Sequence, residues 1–169
     1  MLLALGGLLA CRSAAGRPAT EGSLQASWRD SLGEARFSAP AEAQWCARDS
    51  ALEIIAVRND SAVGLALFAK DSLRAEGFPL FQAGVFAPWR PQATAALRLL
   101  TASDLRGYQS GWGRVELTQV AANRVSGTLE LHLKHSSGTD SLHLTGSFTG
   151  VAVRPAAPSC GRANKPASG

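Results

Sequence analysis

The sequence predicts an all-β protein: an antiparallel β-sandwich or partly closed barrel of about eight or nine short strands. Two observations carry that expectation. Apolar and polar residues alternate through most of the chain between residues 23 and 160, the period of a strand with one buried face. The alternating stretches are broken by turn residues, supplied by 17 glycines and 8 prolines spread through 169 residues. An apolar share of 46% against 18% charged is enough for a core and excludes a disordered chain. No stretch reaches the run of about 20 apolar residues that a membrane-crossing helix needs.

The first expected strands are GEARFSA and AQWCA, two elements flanking Pro40. ALEIIAVR follows, rich in β-branched residues, and Asn59-Asp60 separates it from AVGLALFA. In LRAEGFPLF, Gly77 and Pro79 suit a turn into an edge strand, where a missing N–H is tolerated. PQATAALRLL alternates at Ala93, Ala95, Leu97 and Leu99 and is read as a strand, although its composition also suits a short helix. RVELTQV places Val115 and Leu117 on one face, and a turn at residues 121–123 follows. The C-terminal hairpin is the clearest element. RVSGTLELHLKH and SLHLTGSF put their leucines on one face, so Leu133 should oppose Leu142, Leu131 oppose Leu144, and His132 oppose His143. A four-residue loop, 136–139, closes this hairpin, and the switched parity of Val151 and Val153 predicts a bulge near Gly150.

The N-terminus carries an address. Residues 1–10 are apolar or small and end in Leu8-Leu9-Ala10, directly before Cys11. This resembles the lipobox of bacterial lipoproteins, which implies a signal peptide over 1–10 and lipidation of Cys11. It also implies anchoring in the cell envelope; Arg12 at the next position, not Asp, points to the outer membrane. Residues 11–22 read as the lipidated cysteine and a flexible tether, 23–160 as the β domain, and 161–169 as a disordered tail. A second resemblance covers about the last 80 residues. Gly77 with Pro79, Ser126-Gly127-Thr128, and Gly146 with Phe148 are similar to motifs of an uncharacterised group of all-β envelope lipoprotein domains. That group brings no catalytic residues.

Charge narrows the partners. The net charge of +4 comes from 14 arginines and three lysines against 13 acids, but the arginines recur singly along the chain. A nucleic-acid binder gathers its cations on one stripe, so no nucleic-acid partner is expected. The partners implied are the membrane, through the N-terminal lipid, and a protein or glycan of the envelope. Setting Cys11 aside leaves Cys46 and Cys160, which in an exported chain invite a disulfide. It would close a loop of about 115 residues, for which chain entropy gives nearly 5 kcal/mol as an upper figure.

No residues are assigned to catalysis and no cofactor is expected. There is no Gly-x-Ser-x-Gly elbow, phosphate loop or dinucleotide fingerprint. Two candidate sites remain. His132 and His143, as direct cross-strand neighbours with Glu130 on the same face, are candidate ligands for a divalent metal, and so for a metal-dependent enzyme. Phe86, Trp89, Tyr108 and Trp112, in loops rich in Gly and Pro, are candidates for an aromatic binding surface or for core plugs. The function expected is a lipid-anchored envelope module, binding or structural and non-enzymatic. The alternatives are the metal enzyme and a barrel-type carrier of apolar ligands.

Overall fold

The computed structural model describes residues 22–30, 33–81, 91–101, 104–121 and 123–155. Among the described residues the regular structure is all strand: β1 (Ser23–Asp30), β2 (Gly33–Cys46), β3 (Ala51–Arg58), β4 (Ser61–Phe68), β5 (Gly77–Pro79), β6 (Gln92–Leu100), β7 (Leu105–Ala121), β8 (Arg124–His135) and β9 (Ser141–Pro155). Eight of them bond in a ring that follows chain order, β1-β2-β3-β4-β6-β7-β8-β9, each antiparallel to the next. The ring closes because β9 also pairs with β1, from Ser23 opposite Thr149 to Arg29 opposite His143. β5 stands outside it as a three-residue edge strand on β7, with Pro79 opposite Arg114.

Two long strands shape the ring. β2 pairs with β1 through Pro40, then with β3 from Ala41 to Cys46. Beyond the start of β1, Ala43–Trp45 lie parallel to Val153–Pro155 of β9, and this closes the seam. The expected break at Pro40 is therefore corrected: one strand runs from Gly33 to Cys46. Proline is tolerated because β2 changes partners there, and the next donor, Ala41 N–H, bonds Gly22 O at 2.8 Å. β7 behaves alike. It pairs with β6 over Leu105–Gln109 and with β5 over Arg114–Glu116, while β8 runs along its other edge.

The C-terminal hairpin has the register read from its leucines, with His132 opposite His143 and Leu133 opposite Leu142. His135 N–H donates to Asp140 O at 2.8 Å, leaving residues 136–139 as the loop. The bulge falls where the parity switched. Across β8, Thr149 and Gly150 together oppose the single residue Ser126, Gly150 has φ 60°, and its N–H donates to Ser126 Oγ at 3.0 Å. Residues 92–100 form a strand, as the alternation indicated. β1 was not anticipated, although Leu24, Ala26 and Trp28 alternate with Gln25, Ser27 and Arg29.

Inward side chains form one apolar cluster. β2 contributes Ala39, Ala41 and Ala43, while β8 contributes Leu129, Leu131 and Leu133. The small residues of β2 and the large ones of β8 belong to the same core. The cluster's residues are 0% to 8% exposed. Gly127 belongs to this packing: it faces Phe148, and a Cβ there would press into the phenyl ring.

Candidate functional site: a stack of rings on the outer face

The period of two that buries the leucines of β8 and β9 turns His132 and His143 outward. Their rings lie parallel, centroids 4.2 Å apart and planes 10° apart, close to the spacing of neighbouring strands. Trp112 of β7 extends the stack. Its indole lies over His132 with centroids 3.5 Å apart and planes again 10° apart. Arg29 of β1 occupies the next position beyond His143. One outer row therefore reads Trp112, His132, His143, Arg29 across four strands.

The local sequence Gly111-Trp112-Gly113 brings the indole there. Between Gln109 and Trp112 the β7 ladder carries an extra residue relative to β8, a bulge that resets which side chains face out. Gly113 has φ 133°, a conformation that side-chain-bearing residues avoid. A Cβ on Gly111 would collide with the carbonyl oxygen of His132, and one on Gly113 with that of Glu130. The two glycines let the bulged strand press against β8, which permits so short a ring separation.

The electrostatics follow from that closeness. The His132 imidazole is held below its usual pKa, first by desolvation and then by the neighbouring His143; Glu130 pulls weakly the other way. Glu130 Oε1 lies 3.6 Å from His143 Nε2, an ion pair when that ring is protonated. Arg114 Nε and Glu116 Oε2, 3.6 Å apart, lie further along β7. Trp112 is 61% exposed despite the stack. The site is thus a wide aromatic surface with carboxylates and guanidinium groups at its border.

The expected residues are redistributed. Trp112 and the two histidines, read from sequence as belonging to separate sites, form a single one. Tyr108 takes the core-plug alternative of the two expected for it. It is 3% exposed and part of the core, and its ring meets His135 edge-on at 5.1 Å. The bulge after Gln109 separates its inward parity from the outward one of Trp112. Phe86, Trp89, Cys11, Cys160 and the segments 1–10 and 161–169 lie outside the described residues. The two histidines are neighbours as a metal pair requires, but their rings are stacked, so the in-plane lone pairs of the two imidazoles do not converge on one ion. Among the described residues no group of three His, Cys, Asp or Glu could hold a metal ion. His135 is occupied with its own turn, where Nδ1 accepts the Ser137 N–H at 3.3 Å.

The sequence-based expectations do not include the part that Gly111 and Gly113 play in placing Trp112. Their signal was present as an aromatic bracketed by glycines inside a strand, which marks a bulge. No family model matches the chain, and no curated protein or solved structure matches it.

Proposed function

We propose that this protein is a lipid-anchored binding module of the bacterial cell envelope, attached to the outer membrane through Cys11, and that it takes an envelope glycan on the Trp112 stack without catalysing a reaction. The observation that carries the binding half is the indole of Trp112, 61% exposed and held flat by a partner ring 3.5 Å away. An aromatic side chain ordered before binding loses little freedom on contact. The C–H face of a sugar ring packs on such a π surface, while its hydroxyls reach polar neighbours such as Glu130 and Arg114.

The anchor rests on Leu8-Leu9-Ala10 before Cys11. A Cys46–Cys160 disulfide belongs to the same proposal. β9 ends at Pro155 opposite Trp45, beside Cys46, and Cys160 follows five residues later. At about 3.3–3.6 Å per residue the chain can span that return.

One preparation tests these parts. The full chain, expressed in a bacterium with two membranes, should sediment with the outer membrane, and Cys11→Ser should release it. Thiol labelling without reductant should leave Cys46 and Cys160 unmodified. Titration with soluble disaccharide-peptide fragments of peptidoglycan should change the tryptophan fluorescence to saturation, and Trp112→Ala should abolish the change. Equal binding by Trp112→Ala, or none by the parent, would sink the glycan site. An unchanged membrane fraction for Cys11→Ser would remove the anchor, and labelled thiols the disulfide.

A further inference from the structure

The outer face of β3, β4 and β6, on a different part of the ring, is unlike the rest of the outside. Its three central rows are Val57-Ala62-Arg98, Ile55-Gly64-Ala96 and Glu53-Ala66-Thr94. Ile55 is 52% and Val57 48% exposed, and near one end of the face Leu100 is 49% and Leu105 58% exposed. Above Gly64 there is open space, since a Cβ built there would meet nothing within 4 Å. The small residues therefore form a shallow trough of about 580 Å³ between Ile55 and Phe81. Contiguous apolar surface of this kind marks a contact site.

The charges on this face identify what covers it. Glu53 and Arg98 occupy diagonally opposite corners around Gly64, one strand and one outward position away in each direction. We infer that a second copy of this chain packs on the β3–β4–β6 face, related by a two-fold axis lying in the interface over Gly64. A turn of 180° about the axis perpendicular to the Glu53–Arg98 diagonal sets each Arg98 over the partner's Glu53. It also brings Ile55 beside the partner's Ala62, a large side chain against a small one, and Ala66 beside the partner's Ala96. The strands of the two copies then cross at a steep angle, as in orthogonal sheet packing. Such an interface is self-complementary, as two-fold symmetry requires. A membrane surface fits less well, because Glu53 and Glu42 of the adjoining β2 would be pressed against anionic headgroups.

Sedimentation velocity on the full chain in a mild detergent tests this. The parent should sediment as a two-copy particle. Glu53→Arg or Arg98→Glu alone should weaken self-association at least tenfold, and the double variant should restore it, a rescue that a merely unfolded or sticky surface would not produce. A monomeric parent, or single variants that associate as the parent does, would overturn the proposal. So would loss of association in both single variants without recovery in the double. Flotation with vesicles of phosphatidylglycerol that is lost in Ile55→Asp, with no self-association in the parent, would assign the face to lipid instead.

Discussion

The two outer regions of the ring use glycine in opposite ways. On β7, Gly111 and Gly113 bring chains together: their missing side chains let a bulged strand crowd the β8 carbonyls and lay Trp112 on His132. On β4, Gly64 keeps matter away, and its missing side chain leaves a hollow among alanines. The first arrangement makes an outward stack of rings edged with charge. The second makes a shallow apolar trough. A strand glycine is thus informative only together with what stands where its Cβ would be.

Substitution at these glycines separates the two uses most sharply. Gly113→Val should destabilise the fold by about 3 kcal/mol, combining an unfavourable positive φ with a clash against backbone. Urea unfolding measures it, and a change under about 1 kcal/mol would mean that the bulge is not held as described. Acid should have a smaller effect, confined to the stacked side. His132 has a lowered pKa in the folded chain, so its contribution is fully present above the ordinary histidine value, near 6.5. That contribution is lost as the pH falls from there through the folded pKa, because the unfolded chain binds the proton more readily. The unfolding midpoint should fall as the pH is lowered below about 6.5, and His132→Gln should flatten that part of the curve. A His132→Gln profile identical to the parent's would remove the stack as the source. The smallest effect belongs to the hollow. Gly64→Ala should leave stability within about 0.5 kcal/mol, since the new methyl meets nothing and the unfolded chain loses some freedom.

Much of the fold was legible because alternation records which residues share a face. In β8 and β9 the leucines fixed not only the strands but the pairing, down to His132 opposite His143. Alternation says nothing, however, about a strand's continuity or its neighbours on either side. Pro40 looked like a boundary because a missing N–H usually ends a ladder, yet β2 passes through it while exchanging partners. Leu24, Ala26 and Trp28 carried the signal for β1, but they follow directly on a tether-like segment. The site was half legible. The histidine pair followed from period two, whereas Trp112 depends on a bulge that turns Tyr108 into the core and the indole out. The apolar outer face was hidden for a different reason. In AVGLALFA both faces are apolar or small, so periodicity cannot separate inside from outside.

The seam between β1 and β9 makes the ring a matter of timing as well as geometry. The first strand bonds the last, so a chain emerging N-terminus first must hold β1 with one edge unpaired until β9 has been made. All the earlier pairings within the ring join successive ring strands and can form in turn; the closing one spans almost the whole domain and carries the largest loop entropy. A nascent chain that paired its strands in that order would be an open sheet with two exposed edges until the seam forms, the form of a β protein most prone to pair with another chain.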